Sequence, residues 1–213
     1  TTTSLIALAL TEGYFDPTVI VGTKLKEFGN SNFRRGLGSH LVLEADEWNK
    51  TFLNYSPKIA VVTNVDAEHL DTYGTIEEVE NTFTEYLAKV PKDGAIVANA
   101  DDERLAKIAQ KFRKKVRWYS LRDKEARIVR PLLRLAGEHN VSNALAALTV
   151  GRLVGVAEPQ ILQALASFTG SWRRFEFLGM LDKAVILSDY GHHPREIQAT
   201  IAAARERYPF RRV

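Results

Sequence analysis

Short apolar runs alternate with longer segments of helical period between Ile59 and Tyr119, and this alternation constrains the fold more than any other feature. Ile59–Thr63 reads as a buried parallel strand, and Ala95–Ala98 and Val116–Tyr119 are of strand length. Thr75-x-x-Glu78 is a capping-box pattern, followed at helical spacing by Val79, Phe83, Tyr86, Leu87 and Val90. Asp101 and its acidic neighbours open a second helix with an apolar face of Leu105, Ile108, Ala109 and Phe112. Upstream, Thr18–Val21 and Leu41–Glu44 are short apolar strands. The rhythm predicts an α/β fold, a doubly wound and mostly parallel sheet with helices on both faces. It breaks at Leu121–Arg130, which is charged and lacks a period. Beyond it lie an alanine-rich helix over Asn140–Val154 and a shorter one with Pro159 in its first turn. Two adjacent strands follow, Phe175–Met180 and Ala184–Asp189. Pro194–Arg207 reads as a helix with Ile197, Ile201 and Ala204 inward, and Phe210–Val213 as the start of a strand.

The 213 residues are 45% hydrophobic, enough for a substantial core. With no cysteine, disulfides, thiolate metal sites and a cysteine nucleophile are excluded. No apolar run approaches the ~20 residues of a membrane span, and the amino end carries no signal-peptide pattern. The expected setting is therefore cytoplasmic, without membrane insertion. The formal net charge is +3 and the basic residues are dispersed, apart from Lys111–Lys115 and the Arg205–Arg212 region. The first of these groups lies at a predicted helix end, where cations offset the macrodipole. A nucleic-acid partner is not expected.

Chemistry-bearing residues gather where strands end. Asn64–Tyr73 follows the Ile59–Thr63 strand and brings Asp66, Glu68, His69 and Asp71 to the carboxyl edge of the sheet, where α/β proteins place ligands. The group suits a divalent cation held against phosphate oxygens, or a polar loop with a helix cap. Glu44, Asp46 and Glu47 close the strand before it, as a metal-facing carboxylate or as a solvated turn. Thr1-Thr2-Thr3-Ser4 precedes an apolar helix, as a plain cap or as the threonines that follow a phosphate-binding loop. Asn140 and Asn143 open the alanine-rich helix, apt for capping or for an adenine edge. Arg173 and Arg174 begin a strand, as surface residues or as donors to a phosphate. Asp189-Tyr190-Gly191-His192-His193-Pro194 ends one, where positioning or substrate contact suits the paired histidines better than zinc does.

Taken in order, these elements resemble the Mur ligase family of ATP-dependent, amide-forming enzymes. The resemblance runs almost the full chain and inclines to the L-alanine-adding branch, with the tripeptide-recycling branch as rival. It implies a P-loop-type ATP-binding central domain over residues 1–170 and the start of a carboxyl-terminal, Rossmann-like lobe over 171–213. On this reading the chain is cut before Thr1 and after Val213, and is short near 121–130. It implies ATP and Mg2+ as cofactors. UDP-N-acetylmuramate and an amino acid, L-alanine favoured, would be joined through an acyl phosphate in peptidoglycan precursor synthesis. Glu44 and His69 would hold magnesium and, with Arg174, act in catalysis. Thr1, Thr2, Asn140, Asn143, Arg174 and Asp189 would bind the nucleotide, and Tyr190, His192 and His193 would border the substrate. Two departures stand out. Trp48-Asn49 replaces the Ser-Asp usual in the L-alanine-adding branch, and Thr75–Leu87 has no lysine to be carbamylated as in other relatives. Folylpolyglutamate synthases and a non-catalytic nucleotide-binding domain are the alternatives.

Overall fold

The computed structural model describes residues 1–212. In chain order its regular elements are α1 (Thr2–Glu12), β1 (Thr18–Leu25), β2 (Ser31–Arg34), β3 (Leu41–Leu43), β4 (Ile59–Val62), α2 (Leu70–Tyr73), α3 (Ile76–Ala88), β5 (Ala95–Asn99), α4 (Glu103–Ala109), β6 (Val116–Tyr119), α5 (Lys124–Val129), α6 (Glu138–Val154), α7 (Glu158–Ser167), β7 (Glu176–Leu181), β8 (Ala184–Ser188) and α8 (Pro194–Arg207). Single 3-10 turns intervene, among them Lys26–Phe28 and Arg130–Leu132. The chain divides into two compact units, Thr1–Glu44 with Arg127 onward, and Ala45–Ala126.

In the first unit α1 is apolar all round, and Ser4 through Leu10 are buried. A helix without a polar face must be enclosed, and α1 packs against α6, α7, β1 and β3. Alanines allow the close approach, since Ala144, Ala146 and Ala147 of α6 are fully buried. β1 pairs in parallel with β3, Val19 facing Val42. It also pairs antiparallel with β2, Ile20 opposite Phe33. That antiparallel edge is absent from the sequence reading because β2 is polar and its residues are exposed or half-buried. The connection turns through Gly29 at φ 68°, a conformation that suits glycine. β7 and β8 form an antiparallel hairpin, from Glu176–Ser188 to Leu181–Ala184.

In the second unit β4, β5 and β6 are parallel and in sequence order, with Ile59 beside Ala95 and Ile96 beside Val116. Helices α3 and α4 provide the crossovers. Thr75 Oγ1 accepts the Glu78 N–H at 3.3 Å, and Asp102 rather than Asp101 caps α4 through the Leu105 N–H at 2.7 Å. Val79, Tyr86, Leu87, Leu105 and Ile108 meet Ala60, Val62 and Ile96 in one core. Phe52 closes it, its ring 4.8 Å from Tyr86 and 5.1 Å from Phe83.

Leu121–Arg130, charged and without a period in the sequence, contains the helix Lys124–Val129, with Ala126 and Val129 buried. Two sequence expectations are corrected. Ile197 and Ile201 of α8 are largely exposed, and Ala203 and Ala204 are the buried pair. Phe210–Arg212 is a turn and bend rather than a strand, and Val213 lies outside the described residues.

Candidate functional site

Each unit gathers its own set of the predicted residues. In the first, the carboxyl end of β3 delivers Glu44, whose N–H is bonded to the Ile20 carbonyl at 2.9 Å. Its Oε2 accepts the Gly22 N–H at 3.1 Å. A Cβ on Gly22 would stand 3.3 Å from Glu44 Oε1, so glycine there leaves the carboxylate room against β1. Thr1 is half-buried, and its nitrogen lies within electrostatic reach of both Glu44 and Arg174. Thr2 in the first turn of α1 donates its hydroxyl to Asn143 Oδ1 at 2.8 Å. The helix amino terminus, Glu44, Asn143 and Arg174 therefore belong to one neighbourhood.

Asn140 is buried, and its Nδ2 donates to the Ala136 carbonyl at 2.7 Å. That bond occupies a donor, leaving Asn140 Oδ1 and Asn143 Nδ2 for a base edge. Gly137, at φ 98°, precedes α6, and a Cβ there would lie 2.6 Å from the His139 ring. Burial pushes His139 below the ordinary histidine range. Asp189 and Glu206 oppose that shift, and Arg174 adds to it. Held mostly neutral, His139 keeps a hydrogen-bond acceptor at neutral pH. Sequence reading saw it only as part of a motif.

Asp189 ties two loops together. One oxygen accepts the Phe175 N–H and the other the Gly191 N–H, each at 2.7 Å. The Tyr190 N–H returns to the Arg173 carbonyl at 2.7 Å. These bonds hold Arg173 and Phe175 at φ 56° and 51°, which side chains seldom adopt. Both guanidinium groups lie against the Tyr190 ring, Arg173 at 5.0 Å and Arg174 at 5.6 Å from its centroid. His193 caps α8, its Nδ1 accepting the Arg195 N–H at 3.4 Å. His192 and Tyr190 stack edge-on at 5.7 Å. The Arg174, Asp189, Tyr190, His192 and His193 group is thus one assembly.

In the second unit His69 precedes α2 at φ 54°. Its Nε2 is 3.7 Å from Glu47 Oε1. One ligand atom each from Glu47, Glu68 and His69 lie within 4.8 Å of one another, all half-buried. Burial raises the Glu47 carboxyl, Asp46 and Glu68 raise it further, and a backbone bond and His69 only partly offset them. A half-buried carboxylate beside others is under-neutralised, and a divalent cation would supply the missing charge, so these residues fit one. Sequence reading named His69, and left Glu47 among three carboxylates that close a strand, as a metal-facing group or part of a solvated turn. Tyr73 fixes that turn, donating its hydroxyl to the Glu47 carbonyl at 2.5 Å, and burial raises its own pKa to about 12.

The Glu47 shift sets a pH dependence. Its folded pKa lies above the ordinary value, so metal-free stability falls as pH rises from that value through the folded one, and is level above it. Glu47→Gln should raise the melting temperature of metal-free protein at pH 7. It should also abolish any stabilisation by Mg2+ or Mn2+, as thermal melts with and without the metal would read. An unchanged metal-dependent shift would remove Glu47 from the cation site.

No helix among the described residues is long and apolar enough to cross a membrane. Residues 1–151 match the Mur ligase middle domain. The chain is 41% identical to UDP-N-acetylmuramate–L-alanine ligase of Solidesulfovibrio magneticus, with 100% of this chain and 51% of that protein covered. It is 39% identical to the same-named protein of Geobacter sulfurreducens, again over 100% of this chain and 51% of the relative. The fold matches the crystal structure of UDP-N-acetylmuramate–alanine ligase from Thermotoga maritima. The TM-score is 0.78 at 24% identity, covering 98% of this chain and 52% of that one. The chain thus spans about half the length of the curated relatives it matches.

Proposed function

We infer that this chain, which belongs to the Mur ligase family, is the catalytic middle of an ATP-dependent ligase that joins the carboxylate of UDP-N-acetylmuramate to L-alanine. The observation that carries the reading is the neighbourhood of the α1 amino terminus, Glu44, Asn143 and Arg174 in the first unit. A helix amino terminus attracts phosphate through its unpaired N–H groups and its dipole. A carboxylate and a guanidinium beside it answer the two needs of phosphoryl transfer, a metal ligand and a direct cation. The 41% identity to a protein of that name supports L-alanine as acceptor.

The chemistry follows in two steps. The substrate carboxylate attacks the γ-phosphorus of ATP, ADP departs, and an acyl phosphate remains. The acceptor amine then attacks the acyl carbon, inorganic phosphate leaves, and the amine gives up a proton. The chain's residues mainly position and neutralise. Thr1 and Thr2 present first-turn donors to phosphate oxygens. Asn140 and Asn143 contact the adenine edge. Arg174 meets the charge of the γ-phosphate. Asp189 holds the ribose with the lone pairs its two loop bonds leave unused. Tyr190, His192 and His193 line the acceptor's approach. Within the first unit Glu44 would hold Mg2+, and within the second His69 with Glu47 and Glu68 would do so; the ion supplies charge neutralisation to a transferring phosphoryl group. ATP and a nucleotide-activated sugar as substrates fit a bacterial cytoplasm. The carboxyl-terminal lobe starting near residue 171 is part of the same proposal.

Phosphate release by the intact enzyme, with L-alanine, L-serine, glycine and tripeptide as acceptors, tests the reading. L-Alanine should support the highest kcat/KM. Activity with tripeptide alone would move the protein to the recycling branch. Glutamate addition to a folate would favour the folylpolyglutamate alternative, whose fold this chain also matches. An FPGS–AMPPCP complex has a TM-score of 0.71 at 14% identity, over 98% of this chain and 70% of that one.

A further inference from the structure

Glu196 sits in the third position of α8, and its two oxygens face different ways. Oε2 accepts the His192 N–H at 3.1 Å and the His193 N–H at 3.4 Å, completing a capping box with His193. Oε1 lies 3.5 Å from Arg174 Nη1. Burial pushes this carboxyl up, but the two N–H bonds and the charges of Arg174 and His192 outweigh it, so the net shift is downward and it is ionised at neutral pH. A capping glutamate requires only the first set of bonds. The second is unusual, because it ties the cap to a guanidinium 22 residues earlier in the sequence. Arg174 is otherwise braced by the Tyr190 ring, and Tyr190 belongs to the loop that Glu196 pins. One carboxylate thus bears on Arg174 directly and also through the loop beneath it.

We propose that Glu196 is a positioning residue that aims Arg174 at the terminal phosphate of the nucleotide. The proposal rests on the ligase reading given above. An arginine held by one ionic contact and one ring face is pre-organised, whereas an exposed free arginine loses rotamer entropy on meeting phosphate. A purely structural cap and a positioning residue differ in their response to Glu196→Gln. The amide oxygen of glutamine still accepts the His192 and His193 N–H groups, so the cap persists. The negative charge that faces Arg174 is lost.

The test uses the intact enzyme. Glu196→Gln should lower kcat roughly tenfold, within the range expected of a coupled pair. It should weaken AMPPCP binding, measured calorimetrically, several-fold while leaving ADP affinity unchanged, because only AMPPCP carries the third phosphate. In an Arg174→Ala background the same substitution should have no further effect on either readout. Wild-type kcat together with a wild-type AMPPCP-to-ADP affinity ratio would overturn the proposal and leave the ligase reading standing. So would an undiminished effect in the Arg174→Ala background. A wild-type enzyme that binds neither nucleotide would overturn the ligase reading, and this proposal with it.

Discussion

Arg174→Ala in the intact enzyme should lower kcat on the order of 10²–10³-fold while KM for UDP-N-acetylmuramate stays within about a factor of two. The loss is that expected when one preorganised donor to a developing charge is removed. Charge shifts among the phosphoryl oxygens as the carboxylate attacks, so a guanidinium aimed there binds the transition state better than the ground state. Arg174 suits this role, being partly exposed, resting on the Tyr190 ring and sharing a neighbourhood with Glu44 and Thr1. Arg174→Lys should recover only part of the loss, because an ammonium lacks the planar fork. Steady-state phosphate release with each substrate varied in turn measures both parameters. Equal kcat in wild type and Arg174→Ala would remove Arg174 from the chemistry. A large rise in KM with unchanged kcat would make it a ground-state binding group.

Strongly periodic or strongly apolar segments were readable in the sequence. β6 at Val116–Tyr119 and α8 at Pro194–Arg207 match their sequence bounds, and α3 follows its cap. Elements set by tertiary pairing were harder to read. β1 runs on to Leu25 although Gly22, Thr23 and Lys24 break its apolar run, because β2 and the Trp172 segment supply partners along that stretch. Lys24 accepts the Trp172 N–H at 3.2 Å, and Thr23 donates to the Trp172 carbonyl at 3.0 Å. β2 carries no apolar alternation for a periodicity argument to detect. α5 shows only Ala126 and Val129 to the interior, too few to reveal a helix among charged neighbours. At the site, residue types at strand ends offered Glu44, Asp46, Glu47, His69, Arg174 and Asp189 as candidates, and the family resemblance implied roles for Glu44, His69, Arg174 and Asp189. The resemblance implied no role for Glu47, and Glu196 was not singled out; the significance of both lies in what folding brings beside them. A glutamate in a turn and a glutamate in a first helical turn look ordinary until burial raises one and a guanidinium faces the other.

His69 should separate stability from function. It is held at φ 54°, ψ 38°, the left-handed region that costs an ordinary residue about 1–2 kcal/mol and costs glycine little. It has no side-chain cap bond to α2 in return, and its partner Glu47 is itself raised by burial. Backbone strain of this kind persists where a side chain is needed at one place, here at the edge of the parallel sheet beside Glu47 and Glu68. His69→Gly should therefore leave the melting temperature of metal-free protein unchanged or slightly raised. The relief of strain is set against the extra freedom glycine gives the unfolded chain and the lost contact with Glu47. Turnover should nevertheless fall on the order of 10²–10³-fold, as for removal of a group acting on the transferring phosphoryl. The Mg2+ concentration giving half-maximal rate should rise, because two carboxylates would hold the cation without the imidazole. His69→Asn, a residue that also tolerates the left-handed region, should stay folded and sit between wild type and glycine in its Mg2+ requirement. Thermal melts without metal, followed by phosphate release across a Mg2+ titration, read both sides of the trade. A marked loss of metal-free stability in His69→Gly would make His69 a structural residue, and an unshifted Mg2+ requirement would take it out of the cation site.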